Sequence, residues 1–175
     1  MNLPVTPIEI RDAVQADAAE LADLLNAIIA KGGTTALEDP YTAEALDLAY
    51  LTGPEVHCCF VAVDRATGRI EGFQTLGRNR ALPDGIGDIG TFARLGETQR
   101  GVGQALFAAT RDRAEALGLS AINATIRADN TGGLAFYTKQ GFVDHDVVKG
   151  VPLKDGQTID RMVKRYRLAP TVSSL

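Results

Sequence analysis

The chain has 175 residues, 45% hydrophobic and 23% charged, with 18 Gly and 7 Pro, which fits one compact domain and excludes a disordered tail protein. Acidic residues outnumber basic ones, 22 to 18, for a formal net charge of −4, so no overall field is available to hold nucleic acid or an anionic membrane. The 2 Cys, Cys58 and Cys59, are adjacent, which is neither a C-x-x-C metal pair nor a disulfide framework, and buried reduced thiols are expected.

The opening residues, MNLPVTPIEI, lack a basic start followed by an apolar run, and a cytoplasmic protein that does not span a membrane is the default expectation. Ile8 to Arg11 reads as a short strand. Asp17-Ala-Ala-Glu20 then has the form of a capping box, with Asp17 as cap and Glu20 reaching back. Leu21, Leu24, Leu25, Ile28 and Ile29 recur at helical spacing, and Gly32-Gly33 stops that helix. A second helix is predicted from Thr42, after Pro40, using Leu46, Ala49 and Tyr50. Cys58 to Val63 and Ile70 to Leu76, with Asp64 to Gly68 as the turn, predict a β-hairpin.

A polar loop from Arg78 to Gly85 leads into a strand from Ile86 to Ala93. A helix is predicted from Gly103 to Leu117, ending at Gly118. Ala121 to Ile126 follows as a strand with Ile122, Ala124 and Ile126 on one face. Thr131 to Gln140 reads as a helix capped by Asn130 and ended by Gly141, and two closing strands fit Phe142 to Val148 and Thr158 to Leu168. The expected fold is α/β: one mixed, mostly antiparallel sheet flanked by helices, parallel where the crossover joins the strands near 86 and 126. Residues 1–169 make one domain and 170–175 a frayed tail.

Two segments carry chemistry. Thr98-Gln-Arg-Gly101-Val-Gly103-Gln104 lies where a strand hands over to a helix, so its glycines let a ligand approach and its unpaired N–H groups point out of the helix end. With the helix dipole they form an anion site that needs no excess of Lys or Arg. Asn130 to Phe142 contains Tyr137, a phenol able to give a proton to a thiolate leaving group; a packed aromatic is the alternative reading. Asn130 likewise reads as a plain helix cap. Gly85-Ile-Gly87-Asp-Ile-Gly90 satisfies the G-x-G-x-x-G pattern, but a polar loop precedes it and a strand follows, so it is not a dinucleotide site. Nothing composes a metal site.

In order, spacing and placement, the two segments resemble the GNAT superfamily of acyl-CoA-dependent N-acetyltransferases. Gly101 and Gly103 match that family's phosphate loop, and Asn130, Tyr137, Gly141 and Phe142 its later segment. Thr98 departs from it, standing where Arg or Gln is usual, unless the loop is shifted by one residue to use Gln99. The resemblance implies acetyl-CoA as cosubstrate, with Thr98, Gln99, Arg100, Gly101, Val102, Gly103 and Gln104 around its pyrophosphate. It also implies backbone pairing of Phe92 and Ala93 with the pantetheine arm, contact of Asn130 with the cofactor, and Tyr137 as the acid that protonates the sulfur.

The segment from Asp88 to Ala93 is similar in position to the acidic strand of phosphinothricin and amino-acid N-acetyltransferases, making Asp88 the candidate base. Asp is one methylene shorter than the Glu more usual there, and a bridging water suits it. His57 and His145 are alternative bases. The implied activity is acetyl transfer to a small-molecule primary amine, an amino acid or analogue favoured. The loops Lys31 to Asp39, Arg78 to Asp84 and Lys149 to Thr158 are candidates for substrate selection, with Gly33-Thr34-Thr35 and Arg78 or Arg80 placed to meet the acceptor's carboxylate. A CoA-binding domain without turnover and a protein-amine transferase are the competing readings, and a homodimer is compatible with the resemblance.

Overall fold

Alternating burial along one strand decides the architecture. In Val56–Asp64, Cys58, Phe60 and Ala62 face one side of the sheet and Cys59 and Val61 the other, and all are buried. A strand apolar on both faces requires a helical layer on each. The structure, a computed structural model, describes residues 7–96 and 101–170. Its strands are Ile8–Asp12 (β1), Val56–Asp64 (β2), Ile70–Arg78 (β3), Ile86–Ala93 (β4), Ala121–Arg127 (β5), Val143–Pro152 (β6) and Thr158–Arg167 (β7). The described strands form one seven-stranded sheet in the order β1-β2-β3-β4-β5-β7-β6. Neighbours are antiparallel except for the expected parallel pair of β4 and β5.

Ala18–Lys31 (α1) and Ala43–Leu46 (α2), which runs on into a π-helical turn at Asp47–Leu51, cover one face. Leu21, Leu25 and Leu46 pack there against Val61, Phe73 and Phe92. Val102–Ala116 (α3) and Thr131–Gln140 (α4) cover the other face, where Leu106, Phe107 and Tyr137 meet Leu76, Ile89 and Ile122. Ile122, Ala124 and Ile126 are buried together, as their alternation predicts. Among the described residues no helix is long and apolar enough to cross a membrane. The predicted tail lies, but for Pro170, outside the described residues.

The structure corrects some local expectations. The capping box at Asp17 does not form: a 3₁₀ turn at Gln15–Asp17 precedes α1, and the Asp17 carboxylate accepts two hydrogen bonds from Arg11, at 2.8 and 2.9 Å, and one from the Val14 N–H at 2.8 Å. Glu20 does not reach back either; it accepts from the Ile70 N–H at 2.9 Å and pairs with Arg94. Long-range partners outcompete the local cap. β6 runs past Gly150 to Pro152, because an edge strand tolerates a residue without an N–H. Both cysteines are free and buried as expected, and burial pushes the Cys58 thiol up to about 11.

The Arg11 hydrogen bond, opposed in part by burial, holds the Asp17 carboxyl below its ordinary value. A lowered folded-state value contributes stability above the unfolded pKa of about 4, and the contribution disappears as pH falls through the folded value. Asp17→Asn is therefore destabilising at neutral pH, and the gap from wild type in denaturant titrations closes progressively below about pH 4.

Candidate functional site: a splayed cleft between β4 and β5

The parallel ladder is short. It pairs Ile86 with Ala121, Gly87 with Ile122 and Asp88 with Asn123, and there it ends. Beyond that rung β4 stays with β3 as far as Ala93, and β5 stays with β7 as far as Arg127. The two strands thus part, and a cavity of about 680 Å³ opens where their next rungs would be. Gly90, Thr91 and Phe92 line one side and Thr125, Ile126 and Arg127 the other. Among the described residues the β4 edge from Ile89 to Ala93 has no strand partner on this side, so its backbone groups face the gap.

Tyr137 enters from the α3/α4 face. It is 7% exposed, and its Oη lies 2.8 Å from Thr91 Oγ1. Gln74 Nε2 in turn donates to Thr91 Oγ1 at 2.9 Å. Burial pushes the phenol up to about 12, against a smaller lowering from the Thr91 hydrogen bond. Tyr137 is therefore a protonated donor at any physiological pH.

Asp88 enters from the opposite face, which it shares with Phe92, because strand side chains alternate. Asn79 Nδ2 donates to Asp88 Oδ2 at 3.1 Å and Asn123 Nδ2 to Oδ1 at 3.0 Å. Beside it stand Tyr50, from the π-helical turn, and at the outer end Glu55 and Arg78. Among the described residues Arg78 forms a loose ion pair with Asp84 at 3.7 Å and lies within electrostatic reach of Glu55, and its side chain is 52% exposed.

At the other mouth α3 begins. Gly101 has φ +85°, a conformation favourable only to glycine, and turns the chain into the helix. The Ala105 N–H is bonded to the Gly101 carbonyl at 2.9 Å, so the N–H groups of Val102, Gly103 and Gln104 have no acceptor within the helix. Gly103 lines the cavity, and a Cβ there would lie 2.7 Å from the Phe136 ring. The sequence-predicted contacts Thr98, Gln99 and Arg100 lie outside the described residues.

Asn130 caps α4, accepting from the Gly133 N–H at 2.9 Å, while its Nδ2 donates to the Thr34 carbonyl at 2.9 Å. Arg127 Nη1 donates to the Thr35 carbonyl at 3.4 Å, and Asn26 holds Tyr41 by two backbone bonds of 2.7 and 2.8 Å. The α1–α2 loop is thereby fastened along the cleft, and Thr34 and Thr35 line it.

Tyr137, Asp88, Phe92, Ala93, Gly103 and Asn130 thus line one cavity, as do Thr34, Thr35 and Arg78. Arg80 does not line it, being bonded to Glu55 at 2.7 Å. Nor do His57, in the wall of a separate cavity of about 290 Å³, and His145, on the exposed β6. Lys149 to Thr158 also stays away from the lining. The false dinucleotide motif lies on β4, where a Cβ at Gly87 would meet Leu76 at 2.8 Å. Sequence reading missed Thr91, Asn123 and Gln74, whose roles depend on cross-strand register. It read Tyr50 as a helix packing residue, whereas the π-helical turn sets it in the cavity wall.

A family model described as the acetyltransferase (GNAT) family matches residues 30–142, more than half of the chain. Comparison with the curated proteins finds no match. Among solved structures, a protein of Acinetobacter baylyi ADP1 described as a candidate acetyltransferase superposes with a TM-score of 0.86 at 18% identity, covering 99% of each chain. An N-acetyltransferase from Staphylococcus aureus Mu50 gives 0.82 at 20% identity, covering 93% of this chain and 99% of its own. A GNAT superfamily phosphinothricin acetyltransferase from Sinorhizobium meliloti, solved in complex with acetyl-CoA, gives 0.79 at 22% identity, covering 95% of this chain and 92% of its own. At these identities the likeness is one of fold.

An unperturbed tyrosine is largely ionised by about pH 10.5, whereas a phenol pushed up to about 12, as at Tyr137, stays protonated there. The ultraviolet difference spectrum between about pH 8 and pH 10.5 should therefore be the same for wild type and Tyr137→Phe. A tyrosinate signal lost in the variant would contradict the raised value.

Proposed function

The chain belongs to the acetyltransferase (GNAT) family, and from that premise we propose that it moves an acetyl group from acetyl-CoA to the primary amine of a small molecule, an amino acid or close analogue, by direct attack in a ternary complex. The observation that carries this reading is the approach of a protonated phenol and a carboxylate to one gap from opposite faces of β4. An amine must lose a proton to attack a thioester carbon, and a departing thiolate must gain one. A site with an acceptor on one wall and a donor on the other suits both transfers.

The residues present fit the cosubstrate. The N–H groups of Val102, Gly103 and Gln104, which have no partner among the described residues and stand at the positive end of α3, suit a pyrophosphate. The absent side chain at Gly103 leaves the cavity open where a Cβ would crowd Phe136. The free edge of β4, including Phe92 and Ala93, offers backbone groups to an amide-bearing arm. A chain of net charge −4 holds a polyanion here through main-chain dipoles. Thr98, Gln99 and Arg100 complete the phosphate loop in this reading, and Asn130 borders the cofactor while capping α4.

Asp88 takes the amine proton, directly or through one water, as the nitrogen bonds to the acetyl carbon. The C–S bond breaks, and Tyr137 gives its proton to the sulfur, leaving an amide and a free thiol. A thiol pKa of about 8.5 makes the thiolate a competent leaving group, and the phenol blocks its return as a nucleophile. Positioning supplies most of the rate, with acid and base adding about 10²- to 10⁴-fold. The loosely partnered Arg78, at the Asp88 end of the cavity, meets the carboxylate of an amino-acid acceptor.

Free thiol release from acetyl-CoA, measured over amino acids, their sulfone and phosphinic analogues, polyamines and aminoglycosides, tests the activity. Amino-acid-like acceptors should be turned over fastest, and release no faster than without acceptor would refute transfer. Tyr137→Phe should lower kcat by about 10²-fold or more with little change in acetyl-CoA Kd. Asp88→Asn should abolish the acid limb of the pH–rate profile. Arg78→Ala should raise KM for amino acids roughly 10-fold or more while sparing amines without a carboxylate.

A further inference from the structure

Asp88, Asn123 and Arg165 lie side by side on β4, β5 and β7. Asp88 pairs in register with Asn123, and Asn123 with Arg165, so the three side chains share one face of the sheet at the rung where the cleft begins. Asn123 is 1% exposed and uses its whole carboxamide. Its Oδ1 accepts from Arg165 Nε at 2.6 Å, and its Nδ2 donates to Asp88 Oδ1 at 3.0 Å and to Thr125 Oγ1 at 3.2 Å.

The direction of these bonds is forced. A guanidinium only donates, so the Asn123 oxygen must face Arg165, and the amide nitrogen must then face Asp88. Asn79 repeats the logic on the other side. Its Oδ1 accepts from the Ala81 backbone N–H at 3.0 Å, a group that also only donates, and this turns its Nδ2 to Asp88 Oδ2 at 3.1 Å. Each carboxamide is locked by an obligate donor behind it, and each presents N–H to one oxygen of Asp88.

The geometry points to Asn123 and Asn79 as positioning residues that hold Asp88 as an acceptor turned to the cleft, with Arg165 acting on Asp88 only through the orientation of Asn123. The inference rests on the reading of Asp88 as the base, but its geometry is separate from that role. A protonated Asp88 would accept these N–H bonds without the charge that strengthens them. Removing either donor therefore withdraws a bond that favours the charged form, and the pH dependence of the variants reads that loss. The other titratable or charged groups lining the cavity are Tyr50, Tyr137, Glu55, Arg78 and Arg127. All are retained in the variants below.

The test uses the full chain with ¹³C-labelled aspartate, following the Asp88 carboxyl resonance through pH and, in parallel, the acid limb of kcat/KM. Asn123→Ala should move both upward by about one pH unit. Asn79→Ala should do likewise, and its exposed position keeps the test open should the buried Asn123 variant fail to fold. A resonance unmoved in Asn79→Ala would overturn the inference. A resonance that moves while the acid limb stays would uphold it and reject Asp88 as the base. Arg165→Leu separates orientation from charge. It should shift the resonance in the wild-type background and leave it unmoved in the Asn123→Ala background. An equal shift in both backgrounds would mean that Arg165 acts by its charge, overturning its assigned role.

Discussion

The site depends on one interruption, the end of pairing between β4 and β5 after Asp88 and Asn123. Two adjacent strands that part leave backbone donors and acceptors without partners, a cost normally avoided in a sheet interior. The cost is contained because each strand keeps its other neighbour. β3 holds β4 as far as Ala93, and β7 holds β5 as far as Arg127, so the gap has firm walls. Parallel pairing suits such an opening, since a crossover helix rather than a tight turn joins the strands and their ends are free to diverge. The same crossover brings the start of α3 to the mouth of the gap.

A strand's period of two then distributes the chemistry. Asp88 and Thr91 lie on opposite faces of β4, so one reaches toward α1 and Tyr50 while the other meets Tyr137 beneath α4. Each face has its own polar network embedded in apolar packing. Such networks are costly unless nearly every group is paired. Asn123 satisfies that condition fully, whereas Gln74 leaves its Oε1 without a partner among the described residues. The better-satisfied network is the one at the vertex of the opening, where a misplaced side chain would also disturb the last rung of the ladder.

Much of this was legible in the sequence. The elements α1, β4 and α4 and the parallel crossover followed from spacing and lie where expected, while the pair Asp88 and Tyr137, singled out by the family resemblance, lines one cavity. What was not legible depends on register. Thr91 and Gln74 are ordinary strand residues until β3 and β4 align, and Asn123 reads as a polar break in an apolar strand until β7 sets Arg165 beside it. The capping box at Asp17 failed for a related reason. Arg11 and the Ile70 N–H, brought close only by the folded sheet, claim the two carboxylates that local spacing had assigned to the helix end.

Asn130 joins parts that look separate along the chain. One carboxamide caps the helix that carries Tyr137 and also grips the carbonyl of Thr34 in the α1–α2 loop, with Arg127 gripping Thr35 beside it. At its far side the loop is tied to the β6–β7 turn, where the Lys154 N–H donates to Glu38 at 3.0 Å. A loop so fastened is not an interchangeable cassette. Grafting a different α1–α2 segment to recruit a new acceptor would succeed only if the graft offered carbonyls at the same two points. Otherwise the cap of α4 loosens and the phenol drifts with it. Changes of substrate in such a scaffold are thus channelled toward the less constrained side of the cleft, around Arg78 and the polar turn that follows β3.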